Sequence, residues 1–221
     1  MAPISALWRR LDEPHGLVHG AISELEPTPD HPDGAFLLDG AAIGTDSPDD
    51  TGPILDEPGE RGDASGGRGG QRAPHPWSTR FSVVVDGRWQ TRSCFVEVLG
   101  GDGLDRVTLT ADAAGRWTLD GREWAELEGC RDVDVSISPL TNTLVVRRLG
   151  LEVGEERRLD VAWLDVPSLA VARVTQTYRR EPDGPHGAQY VYADPTYGSF
   201  VFTVDPLGVV REYQGLFARV A

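Results

Sequence analysis

The chain has 221 residues, 39% of them hydrophobic, and a formal net charge of −14. Its length and apolar content suffice for a real core and argue against global disorder, while the charge argues against a nucleic-acid surface or a polybasic dock on anionic lipid. All 21 basic residues are arginine, so Schiff-base chemistry, a Ser–Lys dyad and a P-loop lysine are excluded.

The acid is concentrated early: residues 1–75 hold 14 acidic and 5 basic side chains. The opening MAPISALWRRLDEPHG has no apolar run of signal-peptide length, and no later segment is long and apolar enough to span a bilayer. The sequence therefore predicts a cytoplasmic protein without integral membrane contact. LWRRL and GAFLLDGAAIG predict strands. His15 and His19 are four apart, but EPHGLVHG contains proline and two glycines, and the sequence nominates no further zinc ligands to complete a site. Residues 45–75, rich in Gly, Pro and Asp, predict a disordered loop or insertion. Within it GGRGG lacks the preceding strand and following helix that a phosphate loop needs.

From Trp77 onward the pattern is β. TRFSVVV, the turn signal Asp86–Gly87 and RWQTRSCFVEVL predict one hairpin. DRVTLTA, DAAG and RWTL predict another, closed by Asp120–Gly121. EWAELEG is the one short helical candidate in this part. RRLDVAWLDV, LAVARVTQTY, QYVYADP, SFVFTVD and VVREYQGL follow as strands, with DPLG as a tight turn between the last two. Strands recurring at this spacing suit an antiparallel meander, barrel or roll rather than βαβ units.

The least ordinary stretch is DVDVSISPLTNTLVVRRL, residues 132–149. In a strand, Val133, Val135 and Ile137 fall on one face and Asp132, Asp134, Ser136 and Ser138 on the other. Pro139 breaks the alternation and Asn142 lies among hydroxyls that can bond the loop backbone. LVVRRL then predicts a second strand pairing back. Adjacent arginines in a strand face opposite ways, so only one of Arg147 and Arg148 can meet the aspartates. Asp132 and Asp134 make a poor catalytic pair, because no partner carboxylate on a facing strand stands out. The sequence nominates no catalytic group, no cofactor and no metal-ligand set. Cys94 and Cys130 fit free, part-buried thiols better than a disulfide.

This stretch resembles the signature of a bacterial family of proposed glycolipid-binding proteins. The resemblance extends to VVVDGRWQTR, GRWTLDG, WAELEGCRDVDV, LDVAWLDVPSLAVARVTQTY and VDPLGVVREYQGLFAR, in order over residues 77–219. Val145 departs from it, standing where the signature has proline. The resemblance implies one domain over residues 1–221. It would be mainly all-β, an antiparallel sheet curled as a spiral β-roll or partly open barrel around one or two short helices, similar in shape to periplasmic lipoprotein carriers. It also implies non-enzymatic binding of a lipid or glycolipid in the concave face. Trp89, Trp117, Trp163, Tyr178, Phe200 and Phe202 are candidates to line that face, and Asp132, Asp134, Asn142 and one of Arg147 and Arg148 to meet a headgroup. Two other readings stay open: a protein-interaction module using the acidic 45–75 loop, and a hydrolase or lyase acting on a lipid or sugar.

Overall fold

A computed structural model describes residues 2–13, 16–29, 31–45, 75–101 and 103–221. His15 and nearly all of the predicted 45–75 loop lie outside the described residues. Strands β1 (Ile4–Arg10), β2 (Leu17–Leu25) and β3 (Ala35–Thr45) come first, followed by β4 (Pro76–Asp86), β5 (Thr91–Gly100) and β6 (Gly103–Ala111). The short β7 (Trp117–Leu119), β8 (Arg122–Glu123) and β9 (Val133–Val135) precede helix α1 (Asn142–Leu149). Six strands complete the chain: β10 (Glu156–Leu164), β11 (Val171–Gly184), β12 (Gly187–Asp194), β13 (Gly198–Val204), β14 (Val210–Tyr213) and β15 (Phe217–Arg219).

All fifteen strands form one sheet, ordered β8-β7-β6-β5-β4-β3-β2-β1-β15-β14-β13-β12-β11-β10-β9. The first and last strands pair in mid-sheet, with Trp8 opposite Arg219. The buried Trp8 indole donates to the Val210 carbonyl at 2.8 Å and ties β1 across β15 to β14. The edges β8 and β9 do not pair with each other, so the sheet is curled and unclosed. The segment between them bridges the gap, through Gly129 N–H to Gly115 O at 3.2 Å and Thr91 N–H to Arg131 O at 2.9 Å. Alternation sets the inner face. Along β4, Trp77, Thr79, Phe81, Val83 and Val85 are buried while their neighbours turn outward. Phe81 lies over its cross-strand partner Gly40, where a β-carbon would sit only 2.1 Å from the ring.

Three hairpins share one loop chemistry. Asp86, Asp112 and Asp205 each accept, through Oδ1, the amides two and four residues on. The residue three places after the aspartate is left-handed each time: Gly115 and Gly208 in two loops, Trp89 (φ 63°) in the third. A tryptophan there costs about 1–2 kcal/mol of backbone strain. Its ring stacks on Phe36 at 4.5 Å and lies under the Arg147 guanidinium at 4.4 Å, and these contacts offset that cost. The Asp120–Gly121 turn has φ 48° and 78°, the two positive angles of a two-residue hairpin turn.

The stretch predicted as a second strand is a helix. Asn142–Leu149 is α1, ended by Gly150 in the left-handed conformation. EWAELEG supplies only a single 3-10 turn at Ala125–Leu127. β9 runs parallel to β10, with Ala162 opposite Val133, so one βαβ unit exists where none was expected. An eight-residue helix is marginal by itself, and tertiary burial holds this one. Leu144 is fully buried, Val145 nearly so, and Leu140 before the helix packs into the space left by Gly20 on β2. Burying each such side chain contributes about 1.5–3 kcal/mol.

Cys94 and Cys130 are free and buried. Burial pushes their thiols up to about 12 and about 11. Neither should react with a disulfide reagent at pH 8 in native protein, and both should react once denaturant unfolds it; prompt native labelling would contradict the buried placement.

Candidate functional site

The polar row beside β9 faces inward, and its members find separate partners. Asp132, fully buried, accepts from Arg148 Nε at 2.8 Å and from its terminal nitrogen at 2.5 Å. Burial pushes this carboxyl up, and the arginine opposes that shift. Arg147, one residue earlier and about 100° round the helix, donates to the Leu207 carbonyl at 2.6 Å and covers Trp89. One arginine reaches Asp132 but not Asp134, which neutral donors hold instead, and a helix rather than a strand separates Arg147 from Arg148.

Asp134 belongs to a hydrogen-bonded circuit. Asn142 Nδ2 donates to the Tyr178 hydroxyl at 3.0 Å, which donates to Gln176 Oε1 at 3.2 Å. Gln176 Nε2 donates to Asp134 Oδ2 at 2.6 Å, and the Thr141 hydroxyl donates to Oδ1 at 2.9 Å. The Thr141 proton is shared, since the Ser138 carbonyl lies 3.1 Å away. Thr141 and Asn142 adjoin in sequence, so the circuit closes and clamps the start of α1 to β9 and β11.

Burial raises the Asp134 pKa; Gln176 and Thr141 pull it down, and Asp194 and Asp132 add to the rise. A carboxyl titrating higher when folded contributes stability that is complete below its unfolded value, about 3.9, and lost as pH rises through the folded value. The stability difference between wild type and Asp134→Asn should therefore be most favourable to wild type in acid and shrink as pH rises. Urea titrations across pH 3–7 check this; a difference that grows with pH would contradict it.

Beside the circuit lies a cavity of ≈ 940 Å³, within the range of small-molecule sites. Asp134, Asn142, Tyr192, Asp194 and Tyr213 line its deeper part, with Trp163 and Phe200. Asp12, Gly101, Asp105, Ser168 and Tyr197 lie at an exposed rim. The lining is aromatic and acidic rather than aliphatic. A second, outer groove of ≈ 460 Å³ is lined by Ile43, Ser78 and Leu99 and shares Thr45, Trp77 and Gly100 with the cavity. Cross-strand registers place Leu17, Ile43, Ser78, Leu99 and Leu104 in one row over β2 to β6, and its four aliphatic members are 41–59% exposed.

Of the candidate site residues singled out in the sequence, Asp134, Asn142, Trp163 and Phe200 line the cavity. Tyr178 stands behind Asn142, buried. Trp117 is core, its indole donating to the Cys130 carbonyl at 3.1 Å. Phe202 is core as well, stacked between Tyr190 and Tyr213. Trp89, Asp132, Arg147 and Arg148 are not part of the cavity lining. Tyr192, Asp194, Tyr213 and Gln176 were not anticipated, although Tyr190, Tyr192 and Asp194 alternate along QYVYAD and so share one face.

A single curled, unclosed sheet with a helix packed against its buried face defines a β-barrel-like class. The chain belongs to the family described as "Putative glycolipid-binding", whose profile matches residues 53–219. It is similar in fold to a DUF1089 family protein from Pseudomonas aeruginosa, with 24% identity, TM-score 0.66, and coverage of 90% of this chain and 92% of that one. A β-barrel-like DUF1849 protein from Brucella abortus aligns with 9% identity and TM-score 0.47 over 99% and 95% of the two chains. No curated protein matches. Among the described residues, no helix is long and apolar enough to cross a membrane.

Proposed function

We propose that the protein binds a glycolipid without transforming it, the polar headgroup seated in the cavity and the alkyl portion lying in the outer groove. The observation that carries this reading is the shared rim: an aromatic, hydrogen-bonding cavity and an apolar groove meet at Thr45, Trp77 and Gly100. An amphiphile needs both environments side by side. Of the candidates named from sequence, Asp134, Asn142, Trp163 and Phe200 would contact the headgroup. Tyr178 would orient Asn142, and Asp132, Arg147 and Arg148 would hold α1. Both oxygens of Asp134 are held by protein donors, so the side chain is fixed in place as a polar contact for a bound headgroup.

Native mass spectrometry of freshly purified protein, followed by organic extraction, tests the reading. A stoichiometric glycolipid, recovered unchanged after incubation, supports it. Affinity for alkyl glycosides should also rise with chain length, and Leu99→Ser with Ile43→Ser should flatten that dependence. No co-purified amphiphile and no affinity for added alkyl glycosides would sink it.

A further inference from the structure

The cavity floor carries a carboxylate oxygen that no donor of the protein satisfies. Asp194 is 8% exposed; its Oδ1 accepts the amides of Thr196 at 2.7 Å and Tyr197 at 2.8 Å, while its buried Oδ2 has no hydrogen-bond partner. A buried carboxylate oxygen without a donor is costly unless something else supplies one.

The surroundings narrow the choice. Among the described residues, Arg10 is the only basic one lining the cavity, and it already pairs with Asp12 at 2.6 Å and Glu13 at 2.9 Å. No arginine therefore balances Asp194 and Asp134, which lie close enough to repel one another electrostatically. Around them Tyr192, Phe200 and Tyr213 form a cluster with ring centroids 5.9–6.5 Å apart, the arrangement that offers π-faces to a cation. Among the described residues no three His, Cys, Asp or Glu side chains converge closely enough for a metal ion, and the aromatic rings beside Asp194 suit an organic cation better than a strongly hydrated one.

We infer that the cavity recognises a protonated amine, seated between the free Asp194 carboxylate oxygen and the Tyr192–Phe200–Tyr213 cluster, and that it rejects anionic amphiphiles. This rests on the glycolipid reading in one respect: the amine would belong to the headgroup, as in an amino sugar.

The test is a titration at pH 7 with three probes of one chain length: octyl β-glucoside, the octyl glycoside of 2-amino-2-deoxyglucose, and octyl sulfate. Octylammonium is a fourth, without sugar. The amino glycoside should bind about tenfold tighter than the glucoside, the preference should shrink as salt rises, and octyl sulfate should not bind. Asp194→Asn keeps an acceptor for Thr196 and Tyr197, and circular dichroism verifies its fold. It should bring the two glycosides within about twofold of each other. Equal binding of glucoside and amino glycoside by wild type, or a preference unchanged in Asp194→Asn, overturns the inference and leaves the glycolipid reading standing. Binding of octylammonium with neither glycoside bound supports the amine site and removes the glycolipid reading. Failure of every probe overturns both.

Discussion

Replacing Arg148 by methionine should lower the melting temperature by about 10 °C. The variant removes the charged partner, the only one among the described residues, of a carboxylate with no solvent exposure, and breaking a buried pair from one side costs about 3–5 kcal/mol. In a chain of this size each kcal/mol moves the midpoint by roughly 2–4 °C. The reverse change, Asp132→Asn, should cost less, because the arginine retains 18% side-chain exposure and can reach water. Pairing Arg148→Met with Asp132→Leu should recover most of the loss, since it leaves no charge stranded.

Acid should also help the single variant. Without the arginine the folded Asp132 titrates higher still, so its unfavourable ionisation disappears as pH falls. Scanning calorimetry at pH 7 and pH 4.5 tests the argument. An Arg148→Met midpoint within a few degrees of wild type at both values would mean that Asp132 needs no partner.

The same residues show how far the sequence could be read. Asp132 and Asp134 stand out in the sequence as a polar row opposite a hydrophobic one, but alternation alone did not show that the structure covers both faces. The helix that answers them was not visible as a helix. Asn142–Leu149 contains Thr143, Val145 and Val146, β-branched residues that weaken helix propensity, so local preference favoured a strand. The boundary signals were nevertheless present: Pro139 before the segment and Gly150 after it, with Leu140, Leu144 and Leu151 at helical spacing. Burial decided the outcome against propensity. The Asp-Ala-Ala-Gly and Asp-Pro-Leu-Gly hairpins were legible because side-chain capping and a left-handed glycine are local chemistry. The pairing of β1 with β15 and the meeting of β9 with β12 residues around one cavity depend on contacts far apart in sequence. For that reason the alternation along QYVYAD put Asp194 on a face with Tyr190 and Tyr192 but could not show that this face meets β9 and Tyr213.

Gln176 is the other position where a single change should have a large effect, and nothing in its surroundings VARVTQTY marks it. It is fully buried and, like Tyr178, serves the circuit in both directions, accepting from Tyr178 and donating to Asp134. Gln176→Leu strands a hydroxyl donor and a carboxylate oxygen together, at a cost of about 3–5 kcal/mol when the two desolvation penalties are combined. Tyr178→Phe removes a hydroxyl and leaves Asn142 Nδ2 and Gln176 Oε1 with one partner fewer, so it should cost less, about 1–2 kcal/mol. If the circuit acts as a unit, Gln176→Leu with Tyr178→Phe should cost little more than Gln176→Leu alone, a coupling that a double-mutant cycle in urea would measure. Additive losses would instead mean that Asp134 and Tyr178 are held independently. The ligand readout separates a clamp from a contact. Gln176 does not line the cavity, so any change in glycoside affinity in Gln176→Leu must pass through Asp134 and Asn142, which do. An affinity loss in this variant without a loss in Trp117→Phe, a core change of comparable depth, would tie the circuit to the site rather than to general stability.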